Sequence, residues 1–116
     1  MAGHKFNLLS DSNILSINSP KKSVGGPYRV VYKNISERWV IVAMNWEGKP
    51  RLGMRWFWAN GGNPFSSGKP IWLVIPAELN KSILNGLSIS IALNQLVERF
   101  LASELEGPEL FKAIIK

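Results

Sequence analysis

At 116 residues, with 46% hydrophobic and 19% charged side chains, the chain has the length and balance of one folded domain, which argues against disorder along most of it. A domain of this size buries roughly two thirds of the surface its unfolded chain exposes, so it needs neither a metal nor a disulfide to sustain a core. With no cysteine and one histidine, His4, zinc-finger, thiol and histidine acid/base chemistry lack their raw materials.

The formal net charge is +6, and its excess lies in the first half: residues 1–60 hold nine Lys/Arg against three Asp/Glu, residues 61–116 five against five. A one-sided basic surface attracts polyanions. Residues 1–27 mix serines, asparagines and glycines with short apolar pairs and read as an N-terminal arm, with His4 in a frayed start and one short strand near Ile14 to Ile17. Their apolar run is broken by Ser10 and Asp11, unlike a secretory signal, and the stretch Ser82 to Val97 is too short and too polar to span a bilayer. The expectation is a cytoplasmic or nuclear protein, not secreted and without a membrane partner.

From Tyr28 onward the chain reads as a single domain, residues 28–116. Val30, Val31 and Tyr32 form a β-prone run, and after a turn at Asn34 to Glu37 a stronger one follows from Arg38 to Trp46, apolar on both faces. Glu47-Gly48-Lys49-Pro50 predicts a hairpin. The returning strand, Arg51 to Ala59, sets Leu52, Met54, Trp56 and Trp58 on one side, expected as core, and Arg51, Gly53, Arg55 and Phe57 on the other, expected as a basic surface. A loop over residues 60–70 leads to a fourth strand, Ile71 to Ile75, and Pro76 is placed to open a helix. Apolar residues at helical spacing then predict a C-terminal helical extension from about residue 87, interrupted at Gly107-Pro108. The fold class is α+β, a four-stranded antiparallel sheet followed by a helix and additional C-terminal helices.

No motif carries catalysis. Gly62 to Lys69 fails as a phosphate loop, because Asn63 stands where a glycine is required and Pro70 where Ser or Thr would hold magnesium. The carboxylates are isolated or spaced as on a helix surface, so no acid/base pair is visible and the reading is of a binding protein without a cofactor or metal. The five tryptophans all fall between Trp39 and Trp72, interleaved with Arg38, Lys49, Arg51, Arg55 and Lys69. Aromatic rings beside cations stack unpaired bases and neutralise their phosphates, whereas duplex DNA hides its ring faces. Trp56 and Trp72 read as core; Trp46, at a hairpin end, and Trp58, at a strand end, read as displayed.

The run Arg38-Trp39-Val40-Ile41-Val42, Trp46-Glu47-Gly48-Lys49 and Met54-Arg55-Trp56-Phe57-Trp58, followed by Ser67-Gly68-Lys69-Pro70 and Pro76, resembles the positive cofactor four family of transcriptional coactivators without a gap over residues 38–87. The resemblance implies four antiparallel strands and a helix, paired into a homodimer that binds single-stranded DNA. It implies Trp46 and Trp58 as base-stacking aromatics, Arg55 as the arginine on the sheet, and Lys49 and Lys69 as basic loop residues. Glu47, Ser66 and Pro70 depart from it, standing where the family places cations. With Arg51 added from the strand pattern, the expected nucleic-acid site is Trp46, Lys49, Arg51, Arg55, Trp58 and Lys69. The alternative is a protein-interaction or small-ligand module on the same dimeric scaffold, with a protein partner held by the C-terminal helices. The two differ in whether the tryptophans or the helices carry the open surface.

Overall fold

The computed structural model describes residues 9–58 and 62–115. His4 and the residues where the 60–70 loop begins lie outside them. In chain order the elements are α1 (Asp11–Leu15), β1 (Val24–Asn34), β2 (Trp39–Trp46), β3 (Lys49–Trp56), β4 (Phe65–Ser66), β5 (Lys69–Pro70), β6 (Leu73–Val74), a 3₁₀ turn (Ala77–Leu79), α2 (Asn80–Gly86), α3 (Ile91–Leu101) and α4 (Gly107–Lys112). The main sheet is antiparallel with order β1-β2-β3-β6, and β4 and β5 form a separate two-stranded hairpin. The α+β class, the four-stranded antiparallel sheet and the C-terminal helices are as the sequence predicts.

β2 and β3 pair without interruption from Trp39 opposite Trp56 to Trp46 opposite Lys49. β1 pairs with β2 from Val24 opposite Trp46 to Asn34 opposite Trp39, but bulges between Gly25 and Arg29 and between Val30 and Tyr32. It therefore starts within the segment read as an arm. The expected strand near Ile14 is instead the helical turn α1, because Ser10 accepts from the Asn13 amide through its hydroxyl and so caps the start of a helix.

Both faces of the sheet are covered. On one, Val31, Ile41, Ala43 and Leu52 meet Leu84, Val97, Phe100 and Leu110 of the three C-terminal helices. Burying a ring the size of Phe100 contributes about 1.5–3 kcal/mol. α3 starts at Ser90, whose hydroxyl accepts from the Leu93 amide at 3.1 Å, so the alternating Ser88-Ile89-Ser90-Ile91 serves as a cap and not as a strand. α4 begins at Gly107-Pro108 behind a reciprocal pairing of Glu106 and Glu109. Arg29 of β1 donates from Nη1 to the Leu110 and Ala113 carbonyls, at 2.9 and 2.8 Å, and so ties the end of α4 to the sheet edge.

On the other face Val40, Val42 and Met44 meet Leu9, Ile14, Val24, Phe57 and Trp72. Trp72 lies over Gly53, where a Cβ would come within 3.4 Å of the Trp72 Cβ and 2.6 Å of the Met44 sulfur. Its indole Nε1 donates to the Ile17 carbonyl at 2.7 Å. Residues 9–24 are held against the sheet through this contact, a parallel bridge between Ser19 and Ile71, and the ion pair of Lys33 with Asp11 at 2.7 Å.

Candidate functional site

Two short turns define a groove at the β2–β3 end of the molecule. Glu47 and Gly48 both adopt left-handed backbone conformations, making the two-residue turn that sets Lys49 directly across from Trp46. The Glu47 amide donates to the Ser23 carbonyl at 2.6 Å, while the Ser23 and Val24 amides both donate to the Pro20 carbonyl at 3.0 Å. The turn carrying Lys21 and Lys22 is thereby closed on itself and fixed beside Trp46. The β4–β5 hairpin supplies the facing wall. Ser67 and Gly68 form its turn, again left-handed at both positions, Ser66 pairs with Lys69, and the Ile71 amide donates to the Pro64 carbonyl at 3.1 Å.

Between these walls lies an open groove of about 730 Å³, lined by Ser19, Pro20, Lys21, Lys22, Trp46, Ser66, Ser67, Lys69 and Ile71. Three lysines, three serines and a tryptophan line it, and no carboxylate does. A second cleft, about 210 Å³ between Tyr28, Pro50, Phe100 and Gly107, has Glu106 as its only charged lining residue.

The expected site residues divide. Trp46 and Lys69 meet in the groove, with Lys49 exposed at its rim as the cross-strand neighbour of Trp46. Arg51 is half-buried, and its Nη1 donates to the Pro50 carbonyl at 2.8 Å. Arg55 is fully buried, its guanidinium 4.9 Å from the Phe57 ring centre and 5.9 Å from that of Phe65. Desolvation lowers its pKa to about 10. The face expected as a basic surface is thus an apolar layer under residues 9–24 and Trp72, and Arg55 belongs to its interior. Trp58 is half exposed, its ring centre 6.2 Å from that of Trp56, but it lies two residues past the end of β3 remote from Trp46, so that the length of the strand, about 23 Å, separates them.

Lys21 and Lys22 were missing from the expected set. Their signal was a basic pair directly after Pro20, in a segment without periodicity. Gly53 in mid-strand was the available sign that something packs closely on the supposed surface.

Chemically, the groove can hold a planar ring against Trp46 and anionic groups on its lysines. Among the described residues no group of three or more His, Cys, Asp or Glu could hold a metal, and no helix is long and apolar enough to cross a membrane. Comparison with known proteins gives no matching family model, no matching curated protein and no matching solved structure.

Proposed function

We propose that the protein binds single-stranded nucleic acid, with a base stacked on Trp46 and phosphates neutralised by Lys21, Lys22 and Lys69, Lys49 lying at the rim, and that it does so without catalysis. The observation carrying this reading is the convergence of three lysines and a tryptophan on one groove that no carboxylate lines. A duplex hides the ring faces that Trp46 would stack on, so unpaired strands are favoured. The resemblance of residues 38–87 to the positive cofactor four pattern supports the same reading at Trp46, Lys49 and Lys69; Arg55 and Trp58, which it also implies, lie outside the groove. A homodimer is part of the proposal, since Ile91, Phe111 and Ile114 of the C-terminal helical region are 77%, 61% and 85% exposed. The same three residues favour the alternative of a protein partner.

Anisotropy of labelled single-stranded and duplex oligonucleotides at several salt concentrations tests the proposal. Single strands bind more tightly, and log affinity falls with log salt by roughly 0.7 per phosphate neutralised. A flat salt response or equal affinity for duplex overturns it. Trp46→Ala weakens single-strand binding by about 1–3 kcal/mol, the contribution of one stacked base, in a variant whose circular dichroism is unaltered.

A further inference from the structure

On the nucleic-acid reading above, we infer that the strand lies in the seam between residues 19–22 and 66–71 instead of crossing the sheet, so that each protomer engages a short segment of about five nucleotides through Lys21, Lys22, Lys69 and Trp46. Three observations carry this. Neither face of the sheet is open to a base: helices cover one, and Ile14, Val24, Phe57 and Trp72 are buried against the other. Of the two guanidiniums on that face, Arg55 is enclosed by Phe57 and Phe65, and Arg51 is half-buried with its Nη1 donating to the Pro50 carbonyl. The groove itself is bounded by two walls joined at the Ser19–Ile71 bridge, each supplying exposed lysines.

The charge count sets the expected footprint. Three lysines lining the groove neutralise about three phosphates, which gives a salt slope near −2 for a single strand and a site at the short end of the range known for sheet-based binders. Ser66 and Ser67 add neutral donors along the same wall.

The test uses the full chain with a five-nucleotide and a twenty-nucleotide oligothymidylate, followed by anisotropy from low to moderate salt. The wild-type protein binds the five-mer with a slope near −2. K21A/K22A lowers that slope by about 1.4, whereas the charge-matched control K81A/K112A, on the exposed faces of α2 and α4, lowers it by less than half as much. Trp58→Ala leaves affinity for both oligomers within twofold. Binding of the twenty-mer without measurable binding of the five-mer, equal effects of the two lysine pairs, or a tenfold loss in Trp58→Ala would each return the strand to the sheet end and overturn the inference. Failure of every single strand to bind at low salt instead removes the parent reading along with it.

Discussion

Arg55 shows how a cation can be part of an interior. Its guanidinium lies against two phenylalanine rings, one just past the end of its own strand and one on the β4–β5 hairpin, so it joins the sheet to the hairpin that carries Lys69. Removing it opens a cavity between those rings, and Arg55→Ala loses about 2–5 kcal/mol of stability in urea titration, while Arg55→Met, which refills the volume, loses less. The direction of the pKa shift fixes the alkaline behaviour. Burial lowers the folded pKa to about 10, so from there up to the ordinary guanidinium value the unfolded chain binds more protons than the folded one, and stability rises with pH. The stability of the wild type relative to Arg55→Met therefore increases over that window; a difference that stays level across it contradicts the desolvation account. Gly62 borders the same guanidinium. Its φ is +82°, and a Cβ there would overlap the Trp56 carbonyl. Gly62→Ala is expected to lose about 1–3 kcal/mol, read from the urea midpoint, because both the backbone conformation and the contact oppose a side chain.

At the scale of elements, Trp72 decides whether residues 17–24 stay in place. Replacing it with phenylalanine keeps an aromatic ring beside Phe57 but removes the 2.7 Å bond to the Ile17 carbonyl, a loss of about 1 kcal/mol. Amide exchange then accelerates over residues 17–24 and not in α3, and five-mer binding falls with it; uniform acceleration throughout the chain would assign Trp72 a core role alone. The dependence of the groove on this segment also explains which parts were legible in the sequence. The β2–β3 hairpin was readable because Val40 to Trp46 is long and β-rich and Glu47-Gly48 suits a two-residue turn. The helical ends were readable from Pro76 and from Gly107-Pro108, although the latter pair, expected as an interruption, itself forms the first residues of α4. What could not be read was the cover on the Arg55 face. It comes from Leu9, Ile14 and Val24, three apolar residues with no common period, and from Trp72, separated from them by some fifty positions in the chain. Periodicity reports which sides of an element are apolar; it is silent on a long-range partner that encloses a polar side chain. Lys21 and Lys22 escaped for the same reason, since the long-range pairings Val24–Trp46, Ser23–Glu47 and Ser19–Ile71 bring them to Trp46.

For the molecule as a whole, the helical side keeps Ile91, Phe111 and Ile114 in contact with water, and a two-fold partner covering them is the expectation to test. Sedimentation equilibrium across a wide concentration range is expected to give twice the chain mass, and a persistent 13.0 kDa species refutes the pairing. The Ser19–Ile71 bridge has a different consequence at this scale. The two walls it joins are distant in sequence, so in the unfolded chain the groove has no counterpart and an occupant has nowhere to bind. Occupancy must then shift the folding equilibrium by mass action: an oligonucleotide at a hundred times its dissociation constant raises stability by about 2.7 kcal/mol. The melting temperature consequently becomes a concentration-dependent record of who occupies the groove, and the same oligonucleotide shields residues 17–24 from proteases, which need that seam open to cut.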